Sequence, residues 1–470
     1  MKSISHLRQY AGILPIFFFT TGLSAELSQH EALALDIYKE LIETNTTYSS
    51  GDTGIAADKM AKRLLDAGFS KEDVIVIRNA PKKGNLIARL RSPLPRKGPI
   101  LLLAHIDVVE ANPEDWTVDP AILLDSGDHF YGRGTLDDKD EASIHIANLI
   151  RLKRQGYTPN RDIIVALTAD EEGGPENGVQ FLLKNHPELI KADLVINEGG
   201  GGVIQDGRHI SNAIQAAEKV YQSYTLEVTD AGGHSSRPTQ SNAIYKLSHA
   251  LIKIESHKFP VALNETTRAQ FKQSAASQPP EIAKYVPGIL QNPPSKQSIA
   301  FFETIPAIGA LLRTTCVATL LEAGHAENAL PQRARATVNC RILPGTPPES
   351  IEQKLVEVIN DDNVVIRPVI TATPSDPSPL TDEIMTAVTR ISESMWPGVA
   401  IIPAMSTGAT DGLFFRNAGT PVYGVSGIFR EAGESRAHGR DERILKQSYF
   451  DGLDFLYRLT RALSSHDDGE

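Results

Sequence analysis

The chain contains few cysteines for its length: only Cys316 and Cys340 in 470 residues. Neither lies near the clusters of histidine, aspartate and glutamate described below, which argues against a metal site built on sulfur ligands. An oxidising compartment would permit a disulfide between them, but spacing in sequence does not reveal the distance between two side chains. We therefore expect two free thiols and leave the disulfide as the alternative.

Excess positive charge is also lacking. Lysine and arginine number 47 against 58 aspartates and glutamates, which gives a formal net charge of −11. This balance argues against nucleic acid and against an anionic membrane surface as partners. Long apolar runs are absent after residue 25, so we expect no stable membrane span in the processed protein.

The N-terminus carries the one pronounced apolar run. Lys2 and Arg8 precede the apolar residues 11–23, and the small residues Ser24 and Ala25 follow. A basic start, a short apolar stretch and a small-residue end are typical of a secretory signal. We expect residues 1–25 to be a signal peptide and the protein to be exported, either periplasmic or secreted. An uncleaved N-terminal anchor is the alternative.

The order of predicted strands and helices indicates an α/β protein with an insertion. Strands alternate with helices up to residue 215, which predicts a largely parallel sheet. Residues 221–228, 313–320 and 333–342 alternate between apolar and polar, as antiparallel strands do. The α/β pattern returns after Pro344 and includes a strand at 364–370.

We therefore predict a catalytic domain formed by residues 26–215 and 344–470. An inserted α+β domain, residues 216–343, would act as a lid. The Pro-, Ser- and Gln-rich stretch 256–306 should add short helices and loops to that lid.

Acidic side chains and histidines follow the predicted core strands. Because parallel strands end at one edge of their sheet, we expect these side chains to meet there. A mixed set of imidazoles and carboxylates suits zinc and, less selectively, cobalt or manganese. Five ligands, one of them bridging, match a site for two metal ions. The candidates are His105 and Asp107, Asp137 and Asp138, Asp170 to Glu172, Glu198, and His438.

Taken in order, the segments AHID, GRGTLDDK, TADEEGG, NEGG and AHGRDE resemble the zinc-dependent aminoacylase and carboxypeptidase family. That family includes glutamate carboxypeptidase, carnosinase, aminoacylase and succinyl-diaminopimelate desuccinylase. The resemblance spans nearly the whole mature chain. It implies a di-zinc exopeptidase-like catalytic domain, an α+β lid, and hydrolysis of an amide bond that releases a free amino acid.

The resemblance also implies a role for each residue of the site. A cis peptide bond would follow the bridging acid, and the general base would take a proton from the attacking water. His105 and Glu198 would hold one Zn²⁺, Glu172 and His438 the other, with Asp137 as bridge, Asp107 orienting His105, and Glu171 as general base.

Further residues of the insert match the lid of that family. His234, in AGGHSSRP, would reach the active site of a partner subunit and stabilise the oxyanion, which implies a homodimer formed through the lid. Asn328 and Arg341 would bind the substrate, since a guanidinium fork suits a carboxylate. Gly408 and Thr410 would line the substrate pocket.

The long stretch before Arg313 and the segment STGATDGLFF resemble the carboxypeptidase-S-like branch. We therefore expect a carboxypeptidase or N-acyl amino acid hydrolase that acts on a small peptide or an N-acyl amino acid. A di-zinc aminopeptidase or dipeptidase is an alternative, although such enzymes typically lack the lid elements around His234 and Arg341. A catalytically inactive binding relative is a second alternative, which the presence of Glu171 and all five ligands argues against.

Overall fold

The computed structural model describes residues 27–465, so the predicted signal peptide lies outside the described residues. No helix within that range is long and apolar enough to cross a membrane. The helices are α1 (Gln29–Ile42), α2 (Thr53–Asp66), α3 (Lys139–Arg154), α4 (Gly178–Asn185), α5 (Pro187–Ile190), α6 (Ala243–Ser256), α7 (Glu265–Ser274), α8 (Pro280–Ala283), α9 (Val286–Ile289), α10 (Lys296–Phe302), α11 (Pro306–Gly309), α12 (Pro348–Ile359), α13 (Asp382–Met395), α14 (Gly412–Asn417) and α15 (Lys446–Ser464).

The strands follow the same chain order. They are β1 (Val74–Ala80), β2 (Lys83–Leu90), β3 (Ile100–His105), β4 (Leu124–Ser126), β5 (His129–Tyr131), β6 (Ile163–Thr168), β7 (Leu194–Asn197), β8 (Gly201–Gln205), β9 (Arg208–Glu218), β10 (Val220–Thr229), β11 (Gly233–His234), β12 (Thr315–Ala323), β13 (Ala329–Leu330), β14 (Arg333–Ile342), β15 (Val364–Pro368), β16 (Ala400–Ser406), β17 (Val422–Gly424), β18 (Phe429–Glu431) and β19 (Arg443–Leu445).

A ten-stranded main sheet forms the centre of the molecule. Its order is β1-β2-β6-β3-β7-β17-β9-β8-β18, and β16 pairs with β9 beside this path. The central strands β6, β3, β7 and β17 all run parallel to one another. The predicted α/β class with a parallel-rich sheet is therefore confirmed.

Strand β3 shows why the centre of this sheet is apolar on both sides. Leu102 and Ala104 point into the core formed with α1, α2, α3 and α15. Leu101 and Leu103 point the other way, into a second core with α4 and α14. Because helices cover both faces, every residue of the strand is buried and the run is continuously apolar.

A separate antiparallel sheet, which we call the lid sheet, has the order β12-β14-β10-β15. Along β14 every second residue is buried, from Ala334 to Ile342. These residues form one core with α6 and α12. The predicted antiparallel strands at 221–228, 313–320 and 333–342 correspond to β10, β12 and β14.

The predicted end of the insert at residue 343 is too early. Strand β15, which we assigned to the catalytic domain, pairs with β10 at the edge of the lid sheet. Leu355 and Ile359 of α12 and Val364 of β15 belong to the core of the lid sheet. Only one face of β15 is buried, and at an edge strand local sequence does not specify which sheet accepts it.

Helices α7 to α11 form the helical segment, residues 257–312, as the prediction of short helices required. It has its own small core, which includes Phe271, Phe302 and Leu312. Helix α7 packs on β16 and β9. The helical segment therefore contacts the main sheet as well as enlarging the lid.

The expectation of two free thiols is wrong, because Cys316 and Cys340 form a disulfide. The two residues lie directly opposite each other on β12 and β14, with their Cα atoms 4.0 Å apart. This proximity comes from the pairing register of the two strands, which a spacing of 24 residues does not reveal.

Candidate active site

The loops after β3, β6 and β7 meet at one edge of the main sheet. His105 is the last residue of β3, and the loops after β6 and β7 carry the Glu171–Glu172 pair and Glu198. The loop before α3 approaches them closely enough to require glycine. Gly134 has φ +84°, and a side chain there would begin 2.8 Å from Val108 Cγ1.

Two ligand groups share Asp137. His105, Asp137 and Glu198 form one, and Asp137, Glu172 and His438 form the other; within each group the candidate ligand atoms lie within 4.8 Å of one another. Asp137 Oδ1 is 2.9 Å from His105 Nε2, and Asp137 Oδ2 is 3.2 Å from His438 Nε2. The structure thus brings all five predicted ligands together, with Asp137 between the two histidines.

The electrostatics of the site call for added positive charge. Burial and the nearby Asp137 raise the pKa of Glu198 to about 8. Burial and Glu198 raise the pKa of Glu171 well above its usual value. Hydrogen bonds to Asp137 and Glu172 raise the pKa of His438 to about 10. Glu172 Oε1 is buried and has no hydrogen-bond partner among residues 27–465. Carboxylates crowded out of water in this way fit divalent cations.

Asp107 lies in a different arrangement from the one expected. His105 Nδ1 is 3.0 Å from the main-chain oxygen of Asp107 and 3.8 Å from its carboxylate. The carboxylate instead accepts hydrogen bonds from the backbone N–H groups of Glu171 and Glu172, at 3.2 and 3.1 Å. The main chain of Asp107 therefore orients the histidine, and its side chain holds the two glutamates.

Glu442 joins the loops that carry Asp137 and His438. Its buried carboxylate accepts hydrogen bonds from the backbone of Gly134 and Leu136, at 3.2 and 2.8 Å, and pairs with Arg133 at 2.5 Å. The peptide bond after Asp137 is cis, as the resemblance implies. The bridging position is thus fixed from the C-terminal part of the chain.

The three lid residues lie apart from these groups within the chain. His234 is exposed on β11, where its Nδ1 accepts hydrogen bonds from the backbone and side chain of Ser236. The main-chain oxygen of Asn328 accepts a hydrogen bond from Ser235. Arg341 stacks over the ring of Tyr221 at 4.7 Å. Within residues 27–465, none of the three lid residues bonds to a metal-ligand side chain.

The predicted pocket loop follows β16. Gly408 donates its N–H to Ser406 Oγ at 3.0 Å. Thr410 donates its hydroxyl to Glu218 at 2.9 Å and accepts a hydrogen bond from Asn197 at 3.2 Å. Asn197 precedes Glu198, so this hydrogen bond links Thr410 to the loop that carries a metal-ligand residue.

Sequence reasoning missed Asp411, which is buried beside the site. Asn177 donates to one oxygen of Asp411 at 2.6 Å, and the other oxygen has no hydrogen-bond partner in the described part of the chain. Burial raises the pKa of Asp411 to about 7. Its place in the segment GATD, next to the chosen Thr410, was the available signal.

A parallel-rich sheet whose strand-end loops gather two histidines and several carboxylates defines a metal-dependent hydrolase. The sequence model described as "Peptidase family M20/M25/M40" matches residues 101–462, and the chain belongs to this family. The protein is accordingly a metal-dependent hydrolase of amide bonds, and the alternative of an inactive binding relative is not favoured.

Relatives with assigned functions cover most of the chain. It is 28% identical over 426 residues to human "N-fatty-acyl-amino acid synthase/hydrolase PM20D1", which covers 89% of this chain and 83% of the relative. It is 29% identical to "Probable carboxypeptidase S-like 2" of Dictyostelium discoideum, across 77% of this chain and 71% of the relative.

Solved structures share the fold. The M20 family metallo-carboxypeptidase Sso-CP2 from Sulfolobus solfataricus superposes with a TM-score of 0.67 at 20% identity, covering 92% of this chain and 99% of the other. Human carnosine dipeptidase 1 gives a TM-score of 0.64 at 15% identity, covering 92% and 97%.

Proposed function

We propose that the protein uses two Zn²⁺ ions, or Co²⁺ or Mn²⁺, to hydrolyse small N-acyl amino acids or peptides at their C-terminal amide bond, releasing a free amino acid. The proposal rests on the position of Asp137 between two groups of ligands, one on each of its oxygens. The names of two relatives, an N-fatty-acyl-amino acid synthase/hydrolase and a probable carboxypeptidase S-like protein, support this substrate class.

Glu171 is the general base of this proposal. When bound, the metal ions would polarise the amide carbonyl and lower the pKa of the attacking water. Glu171 takes the proton of that water and returns it to the leaving amine.

Arg341 and Asn328 would bind the free carboxylate of the substrate. The Arg341 guanidinium is partly buried over Tyr221 and has no acidic partner within residues 27–465. Burial without an anion lowers the pKa of this guanidinium. A substrate carboxylate would supply the missing negative charge through a two-point contact.

We further propose that the lid forms a homodimer and that His234 completes the site of the partner subunit. Strand β12 is an edge of the lid sheet. Its Val317, Leu320 and Leu321 are 57%, 64% and 64% exposed. Because an open apolar edge strand is a ready template for pairing, a second copy of the chain would cover it.

Export is supported by the N-terminal pattern together with the disulfide, which is typical of oxidising compartments. We propose a periplasmic or secreted protein. An intact Met1 on protein recovered from the cytosol of the native host would contradict this proposal.

The decisive experiment uses the purified, zinc-loaded protein and a panel of N-acyl amino acids and dipeptides, with release of free amino acid as the readout. We expect about two equivalents of metal by elemental analysis and loss of turnover with a chelator. Full activity with a single tightly bound ion would contradict the bridged site. No release from any substrate would contradict the proposed function.

A further inference from the structure

A cavity of about 190 Å³ lies between the helical segment and the main sheet. Ala213 of β9 and Ile402 and Ala404 of β16 line one side. Phe271 and Phe302 of the helical segment line the other. The cavity therefore exists only because the helical segment packs on the sheet.

The lining of this cavity is suited to hydrocarbon. Aliphatic and aromatic side chains dominate it, and no charged residue takes part. The polar lining residues are Ser211, Gln270, Ser274 and Gln278. The side-chain oxygen of Gln270 accepts the N–H of Met405 at 3.2 Å, and the Ser274 hydroxyl donates to the main-chain oxygen of Phe271 at 3.4 Å. An apolar cavity of about 150 Å³ accepts a molecule of benzene, so this volume can hold a chain segment of about six carbon atoms.

One side of the cavity is formed by a strand that also pairs with the segment after a metal ligand. Ala213 pairs with Gly201, three residues after Glu198. Gln215 lies on the same face of β9 as Ala213, about 7 Å further along the strand. It packs so closely on Gly199 that a side chain there would begin 2.6 Å from its amide oxygen. The lining residue Ala213 is therefore two residues along β9 from Gln215, which contacts the residue after Glu198.

We propose that this cavity binds the alkyl chain of the N-acyl group, so that the enzyme prefers N-acyl amino acids of medium chain length. This inference rests on the proposed function and names the substrate within its class. A peptide occupying the same space would place its amide groups or its N-terminal ammonium against apolar walls, where unpaired polar groups are costly.

The test measures kcat/KM for acetyl, hexanoyl, octanoyl and dodecanoyl derivatives of a single amino acid, each below its micellar concentration. For the native chain we expect kcat/KM to rise by up to about fourfold per added methylene until the cavity is full. A dipeptide with a large apolar N-terminal residue serves as the competing substrate. Faster hydrolysis of the dipeptide than of the octanoyl substrate would overturn the assignment.

Variants that fill the cavity test its location. Ala404→Leu enters it from the sheet and Ser274→Leu from α7, so a folding defect in one does not remove the test. For both we expect the ratio of octanoyl to acetyl kcat/KM to fall to about one. Ala276→Leu makes the same change in size at an exposed position of the helical segment and should keep the native ratio.

The outcomes separate the two proposals. Equal kcat/KM for acetyl and octanoyl substrates in the native chain, or an unchanged ratio in both filling variants, would overturn the cavity assignment and leave the proposed function standing. Failure of the metal-loaded native chain to hydrolyse every acyl derivative would instead overturn the proposed function.

Discussion

Glu171 and Glu172 are neighbours with different surroundings. The backbones of both are held by Asp107, but only the Glu172 carboxylate contacts His438, at 2.8 Å. Glu171 belongs to neither ligand group. Conservative variants of these two adjacent residues can therefore distinguish the role of metal ligand from the role of general base.

We expect Glu171→Gln to keep both metal equivalents while kcat falls by about 10²-fold or more, since the amide cannot accept the proton. Glu172→Gln should lose metal directly, because a charged ligand is removed. Elemental analysis and rate measurement on the same samples distinguish the two variants. The reverse pattern would exchange the two roles.

His145 provides a pH prediction outside the site. It is fully buried in α3, and neither ring nitrogen has a hydrogen-bond partner among the residues that the structure describes. Burial lowers its pKa to about 3. The unfolded chain, with a histidine pKa near 6.5, binds the proton first as the pH falls. This group therefore destabilises the fold progressively below pH ~6.5, by about 2 kcal/mol at pH 5.

His145→Leu should remove that contribution. We expect the free energy of unfolding of the metal-free variant to fall less between pH 7 and pH 5 than that of the metal-free native chain, measured by urea titration. His325→Leu removes an exposed histidine and serves as control. Parallel curves for the native chain and His145→Leu would show that His145 is not the responsible group.

At the residue level, the sequence singled out His105, Glu172 and Glu198 because they end or follow apolar strands, and Asp137 and His438 through the segments GRGTLDDK and AHGRDE. It did not allow the task of the Asp107 side chain to be identified, since that depends on where a second loop places its N–H groups. Asp411 was missed for a similar reason. A buried carboxylate bonded to Asn177, 234 residues away in sequence, has no local signature.

Among the elements, β14 carries Arg341, the residue that we propose binds the substrate carboxylate. Arg341 lies on its open face, together with the exposed Arg335, which pairs with Glu227. A charge-assisted contact to the substrate carboxylate is worth about 1.5–3 kcal/mol. Arg341→Ala should thus lower kcat/KM by roughly ten- to a hundredfold for substrates with a free carboxylate.

The same variant should barely change the hydrolysis of matched C-terminal amides, which lack the carboxylate. Arg335→Ala, on the same face of the same strand, is the control and should leave both substrates unaffected. Equal losses on acid and amide would make Arg341 a structural residue. A native enzyme that prefers the amides would contradict carboxylate recognition altogether.

The elements were easiest to predict where periodicity alone decides them. The all-apolar run of β3 and the alternation of β14 identified strands and their burial. Two features depend on the register between distant segments, which the hydrophobic pattern does not encode. They are the choice of sheet that β15 joins and the pairing of Cys316 with Cys340.

At the scale of the whole molecule, the lid sheet has an open edge at β12, where we propose that a second copy of the chain binds. If His234 completes the partner's site, each active site contains Glu171 of one subunit and His234 of the other. His234→Ala and Glu171→Gln then remove residues that two different subunits supply to one site. Each variant alone should be nearly inactive. Mixed and re-equilibrated in equal amounts, they should form heterodimers with one intact site each, which restores about a quarter of native activity.

No recovery on mixing, with heterodimers shown to be present by native mass spectrometry, would place His234 outside the partner's site. Leu320→Lys, on the exposed edge of β12, supplies an independent check. It should weaken the dimer and lower activity together. A monomer that keeps full activity would contradict the proposal in a second way.

If the open edge of β12 forms the dimer, the activity of the enzyme would depend on its own concentration. An enzyme that needs a second copy loses turnover by mass action when it is diluted below the dissociation constant of the pair. Released into a large volume, such an enzyme would dissociate into monomers and lose its activity. Held in a narrow compartment, it would stay paired and active, so that confinement itself would act as its control.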